Sequence, residues 1–237
     1  MNGMSWKIHS VLTGRIALLG EFGKLSAIDK QAVNQRLWLG ETGLEGDQQA
    51  DPKHHGGMEK ALHHYPFEHY AYWREGWQAG EASLAQLLAV PGAFGENLST
   101  SGLTEADVCV GDVYRIGGAL IQVSQPRQPC WKLNVRFGRA DMSRQVQDTR
   151  RTGWYYRVLE PGEIGAGDFL ERLARPHPDW SIERLLRVLY VERENWAALA
   201  EMADLATLTP SWRTTITKRL ASRQVESWTS RLDTPGN

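Results

Sequence analysis

Cysteine is scarce in this sequence, and so is any excess of charge. Two cysteines in 237 residues, Cys109 and Cys130, cannot build a four-thiolate iron–sulfur centre. The segment Met1–Ser10 has no apolar signal region, so a lone disulfide is not expected; both are read as free thiols in a reducing, cytoplasmic compartment. No stretch approaches the roughly 18 consecutive apolar residues of a membrane span, and no membrane attachment is expected. A net charge of -1 offers no general attraction to nucleic acid. A Gly-x-Gly-x-x-Gly turn after a strand and a Gly-x-x-x-x-Gly-Lys-Ser/Thr loop are both missing. A redox enzyme with this sequence would therefore take its electrons from elsewhere. Internal repeats and low-complexity segments are absent too.

What is present is an ordinary globular composition, 41% hydrophobic and 23% charged, able to bury a core. Trp6–Leu19 reads as one or two strands and Gln35–Leu39 as another, followed by a loop marked by Gly40, Gly43 and Gly46. Pro66 opens a helix whose Phe67, Tyr70, Trp73 and Trp77 share one face, a stripe read as core packing. A short helix is expected over Ser83–Leu88. Val113–Ile116 and Ala119–Val123 flank Gly117-Gly118 as a hairpin, after which Pro126 and Pro129 predict a rigid loop. Further strands are expected over Gly153–Leu159 and near Phe169–Leu173. Arg175–Pro178 reads as a linker, and beyond it come three helical patterns: Ile182, Leu185, Leu186 and Leu189 after a Ser181 cap, then Trp196, Leu199 and Ala203, then Trp212, Ile216 and Leu220. The expected architecture is mainly β, a barrel with helical insertions over residues 1–174, and a three-helix module over 175–237.

Candidate chemistry concentrates in two places. Five histidines, His54, His55, His63, His64 and His69, lie close together, but no His-Glu-x-x-His or Cys-x-x-Cys pattern supports protein-ligated zinc. His55 stands apart because Gly56-Gly57 follows it, leaving backbone amides able to approach a ligand; the other histidines are read as structural or surface residues. Gly95-Glu96-Asn97 joins a conformationally free glycine to a side chain with donor and acceptor, suited to a heterocycle edge. The strongest constellation runs from Ser124 to Lys132. Arg127 and Lys132 would favour the Cys130 thiolate, the form that attacks electrophiles or binds metals, and two prolines fix its presentation. It sits in a basic stretch, Gln125–Arg157, of net charge +6, against -7 for the remainder of the chain. Such a stretch is either a solvated face or a pocket for an anionic ligand. Cys109, inside an apolar run, is read as an inert core thiol.

These residues resemble a known family. Gly43-Leu44-Glu45-Gly46-Asp47, His55-Gly56-Gly57 with Lys60-Ala61, Gly92–Leu98, Gly111-Asp112 and Pro126-Arg127-x-Pro129-Cys130-x-Lys132-Leu133 are similar in order and spacing to the MOSC family, named for the C-terminal domain of molybdenum cofactor sulfurase. The tail resembles the extension of its YiiM-type branch, the 6-N-hydroxylaminopurine resistance proteins. The resemblance implies a closed MOSC-type β-barrel and a molybdenum cofactor (molybdopterin) whose metal is held by Cys130. Arg127, Lys132 and Arg157 would then balance the cofactor phosphate, and Asn97, Gly95, Gly56, Gly57 and Ser124 would face the pterin. It implies an oxidoreductase that detoxifies hydroxylamines, amidoximes and N-hydroxylated purine analogues, fed by a separate flavin or NAD(P)H-linked electron-donor protein. His55 is read as the proton donor, since the reference pKa of histidine suits neutral pH.

Three other classes compete. Cys130 could hold a persulfide, or the pocket could carry the molybdenum cofactor to other enzymes; turnover with an added donor separates these from a reductase. A DNA-binding reading of the helices meets their mixed charge, with Arg184, Arg187 and Arg219 beside Glu183, Glu192 and Glu201. A Cys-His hydrolase needs a base at Cys130 that sequence alone does not reveal. The helical tail is left three roles: docking a reductase, closing a homodimer, or covering the barrel.

Overall fold

A computed structural model describes residues 4–20, 23–51, 56–76 and 82–235. The chain starts with strands β1 (Ser5–Lys7), β2 (Ser10–Gly14), β3 (Ala17–Leu19), β4 (Lys24–Ser26), β5 (Lys30–Ala32), β6 (Leu37–Gly40), β7 (Gly43–Leu44) and β8 (Leu62–His64). Two helices, α1 (Glu68–Glu75) and α2 (Ala82–Leu87), precede β9 (Leu98–Ser99), β10 (Val113–Ile116) and β11 (Ala119–Pro126). Helices α3 (Lys132–Phe137) and α4 (Met142–Thr149) then interrupt the strands before β12 (Trp154–Glu160), β13 (Gly162–Ile164) and β14 (Phe169–Ala174). The chain finishes with α5 (Ile182–Tyr190), α6 (Trp196–Ala203), α7 (Pro210–Ser222) and α8 (Thr229–Leu232).

Nine strands form one curled sheet in the order β1-β14-β10-β11-β12-β8-β9-β2-β5, antiparallel except for the parallel β8–β9 pair. This is a half-barrel, which corrects the closed barrel implied by resemblance. Closure requires the end strands to pair over a staggered ladder. Here the end strands β1 and β5 have three residues each. The chain crosses between the two ends through Ile8 and His9, whose amides donate singly to Asp168 O and Ser99 O, both at 2.9 Å. A three-stranded sheet, β13-β6-β7, and the two-stranded β3-β4 pair complete this part.

The expected hairpin pairs Val113–Ile116 with Ala119–Gln122. The loop expected after β11 runs from Arg127 to Trp131, and α3 begins two residues past Cys130. Its Leu133 and Phe137 join Met142 and Val146 of α4 in a second core with Tyr65, Tyr70, Trp73 and Phe94. The aromatic stripe of α1 is packed as expected; Trp77 and His54 lie outside the described residues.

In the helical tail Ser181 caps α5, its Oγ accepting from Arg184 N at 3.1 Å, and Ile182, Leu185, Leu186 and Leu189 are buried. Those side chains, with Trp212 and Ile216 of α7, belong to one continuous core with strand residues such as Ile121, Val123 and Tyr156. The expected linker is pinned, since the Arg175 guanidinium spans the buried Asp112 carboxylate at 2.7 and 2.9 Å. No described helix is long and apolar enough to cross a membrane.

Candidate functional site

Three adjacent strands assemble the first part of the site. Tyr155 on β12 lies opposite both His63 on β8 and Gln125 on β11, so the three side chains form one row across a single face of the sheet. The His63 and Tyr155 rings are 5.1 Å apart. A bulge between Val123 and Gln125 displaces Ser124, whose Oγ donates to Glu59 O at 2.7 Å. Past Pro126, Arg127 N donates to Gly153 O at 3.0 Å. That approach demands glycine, because Gly153 has φ +68° and a Cβ there would lie 2.1 Å from His64 O.

Cys130 is then held from two sides. Behind it, α3 is anchored in the second core, and Asn134 Nδ2 donates to Leu232 O at 2.8 Å. In front, Trp131 N donates to Arg231 O at 2.8 Å, and the Arg231 guanidinium donates to Pro129 O and, at 2.5 Å, to Gln147 Oε1. The chain around α8 is thus a clasp over the cysteine loop.

The half-buried thiol stands where two cavities meet. The first, about 60 Å³, is lined by Lys30, Lys60, Arg127 and Lys132 with one carboxylate, Asp51. His63, Gly95, Asn97 and Tyr155 also line it. The second, about 560 Å³, shares Asp51, Lys60, Cys130 and Tyr155 and extends to α7 and α8.

Electrostatics mark the first cavity as a site for an anion. Arg127 is buried, and its Nη1 has no hydrogen-bond partner among the described residues. Lys30 is buried with Nζ 2.5 Å from Asp47 Oδ2, and burial holds its pKa below the usual value against the pull of Asp47. Burial lowers Lys60 in the same way, opposed by Cys130 and Asp51. His63 is held well below its ordinary value, by burial first and the Arg127 charge second, so it is neutral. Burial pushes Tyr155 up.

The sequence candidates distribute unevenly over this geometry. Cys130, Arg127, Lys132, Gly95 and Asn97 reach the first cavity. Gly95, with φ +75°, presses so closely on Ile28 that a Cβ would meet its Cγ1 at 2.9 Å. Asn97 is largely spent inside the fold: Nδ2 donates to Leu12 O and Asp47 Oδ2 at 3.1 and 2.9 Å, and Oδ1 accepts from His63 N at 3.1 Å. Gly56 and Gly57 lead into the turn Met58–Lys60, where Lys60 N donates to Gly57 O, but they line neither cavity. Ser124 is committed to Glu59. Arg157 lies elsewhere, on Glu59 Oε2, Gln122 Oε1 and Thr207 O. His55 lies outside the described residues.

Most of the basic stretch serves the fold. Arg136 pairs with Asp29, Arg144 with Asp233 and Arg150 with Glu183, and Arg151 lies 3.7 Å over the Tyr72 ring. Cys109 is buried with Sγ 3.4 Å from Pro178 O, and burial raises its pKa. Sequence reasoning missed Lys30, Asp51, His63 and Tyr155. It gave Lys60 and Asp47 no role, although both stood in motifs it singled out.

Residues 51–171 match the family described as the MOSC domain, and residues 180–223 match the YiiM-like, 3-alpha helix domain. The chain is 43% identical over 222 residues to Protein YiiM of Escherichia coli, covering 94% of this chain and 96% of that one. It is 40% identical over 199 residues to a protein named Reductase from Gibberella moniliformis, covering 82% of this chain but 34% of that longer one. The crystal structure of YiiM from Escherichia coli superposes with a TM-score of 0.81 at 36% identity, covering 98% of this chain and 100% of that one.

Proposed function

Because the chain belongs to the MOSC-domain family and carries its YiiM-like 3-alpha helix domain, we propose that it is a molybdenum-cofactor-dependent reductase of N-hydroxylated compounds. Its substrates are hydroxylamines, amidoximes or N-hydroxylated purine analogues, and its role is detoxification. The observation that carries this reading is Arg127. A buried guanidinium nitrogen without a partner leaves a desolvation cost of about 1–3 kcal/mol uncompensated. An anion at the wall of the first cavity relieves that cost. Beyond the Lys30–Asp47 pair, three cations against one carboxylate, beside a single soft thiol, fit a phosphorylated pterin that bears a metal. The relative named Reductase supports the reaction class.

When bound, the cofactor supplies the two electrons that, with two protons, convert R–NH–OH to R–NH2 and water; a separate flavin or NAD(P)H-linked protein restores them. The chain's residues do the rest. Cys130 Sγ provides the ligand to the metal. Arg127 and Lys132 hold the phosphate, and Asn97, through Asp47, fixes the strands that carry His63 and Lys30. Lys60 Nζ borders both cavities, and its burial makes its proton easier to release. His55 remains the second proposed donor.

The test is molybdenum and pterin content of protein from a cofactor-producing host, with N-hydroxy substrate reduction under a chemical reductant, for wild type beside Cys130→Ala. Stoichiometric metal and turnover in wild type, both lost in the variant, is the expected result. A wild type that never carries molybdenum or pterin ends this reading, and loaded protein without turnover makes it a cofactor carrier.

A further inference from the structure

We propose that the larger cavity beside Cys130 is the substrate chamber and that the C-terminal helices form the wall that selects flat, uncharged N-hydroxy compounds. This rests on the reductase reading above and adds what that reading leaves open: where the substrate enters and which residues choose it.

The two cavities differ in chemistry although they share four residues. Lys30, Arg127 and Lys132 line only the first. The second replaces them with Gln125, Gln128, Trp131, Ser211 on α7, and Ser230 and Arg231 on α8. Arg231 is the one cation in that replacement set, and its guanidinium is committed to Pro129 O and Gln147 Oε1. Apart from the shared Lys60 and Asp51, one of each sign, the chamber therefore presents the Gln128 carboxamide, hydroxyls and two aromatic rings, Gln125 being tied to Thr209 Oγ1 at 2.9 Å.

Tyr155 is the partition. Its cross-strand neighbour on one side, His63, lines the cationic cavity, and its neighbour on the other, Gln125, lines the chamber. A polyanionic cofactor is drawn to the cationic side, which leaves the Cys130 junction open to a neutral molecule from the other. Aromatic faces suit a planar ring, and carboxamides offer donor and acceptor to a heteroatom edge. Among the described residues Gln128 makes a single long bond, 3.4 Å from Nε2 to Tyr190 OH, which leaves it available for that role. Ser230 and Arg231 fall outside residues 180–223 matched by the 3-alpha helix domain, so part of this wall is not encoded by that domain's pattern.

The experiment fills the chamber. Ser211 and Ser230 are both exposed, so Ser211→Trp and Ser230→Trp leave the core intact. For cofactor-loaded protein, KM and kcat are measured with an aryl amidoxime and with hydroxylamine itself, alongside molybdenum per chain. Binding of the aryl amidoxime to cofactor-free protein is measured by calorimetry, with Gln128→Ala as a milder variant. The expected result is a KM for the aryl compound raised about tenfold or more. Hydroxylamine should be affected several-fold less, molybdenum should stay stoichiometric, and calorimetric affinity should weaken in parallel. An unchanged KM in all three variants overturns the proposal, and so does loss of molybdenum, which would make the chamber part of the cofactor site. Should wild type reduce no N-hydroxy compound, the reductase reading fails while calorimetry still decides the chamber: aryl binding weakened by the variants upholds it, and its absence from wild type overturns it.

Discussion

His63 and His64 are neighbours on β8 with opposite fates. Alternation along the strand sends His63 to the first cavity and His64 into the main core, between Tyr156 OH at 3.0 Å and Thr100 Oγ1 at 2.9 Å. Burial pushes His64 down to about 3 from its ordinary 6.5 and lowers His63 as well. In the unfolded chain both regain ordinary values, so the unfolded state binds protons first as pH falls. Stability is complete above about pH 6.5 and declines below it by at most about 1.4 kcal/mol per pH unit per histidine, a fall that for His64 continues to about pH 3. Urea midpoints between pH 7 and 4.5 should therefore drop more steeply for wild type than for His64→Gln; parallel curves would refute the burial account. At this scale Arg127, Cys130 and Lys132 were legible because they are local to one proline-fixed loop. His63 and Tyr155 were not, since they meet only through a register joining residues 92 positions apart, and no single-sequence pattern fixes which face of a three-residue strand looks outward.

The elements that frame the site are tied by long side chains rather than by strand ladders alone. Arg157 on β12 joins the turn at Glu59, β11 at Gln122, and the α6–α7 connection at Thr207. Arg157→Met removes those bonds while preserving the aliphatic stem, and should cost about 2–3 kcal/mol. A lowered denaturant midpoint at constant m-value checks this, and an unchanged midpoint would show that the shared core alone holds the tail. The hairpin and the first three tail helices were readable from period and punctuation. The helices after Cys130 were hidden: prolines announced a loop, and the arginines crowding α3 and α4 masked the apolar face of Leu133, Phe137, Met142 and Val146. The sheet's failure to close was equally invisible, because it depends on the shortness of β1 and β5.

Across the whole molecule, the sheet and the C-terminal helices share one core and α1, α3 and α4 build a second, yet the feature that completes the site is the clasp of α8 on the cysteine loop. Arg231→Ala should free Pro129 and Gln147 from the guanidinium and raise the rate of Cys130 alkylation in cofactor-free protein several-fold, while the buried Cys109 stays unreactive; mass spectrometry of the alkylated peptides reads both. Equal rates would mean that α3 alone presents the thiol. The clasp also has a consequence in time. Its guanidinium lies 102 residues downstream of the carbonyl it grips, and at roughly 5–20 residues per second of synthesis the thiol leaves the ribosome roughly 5–20 s before its restraint does. A nascent chain therefore offers the cysteine before it offers the setting for that cysteine.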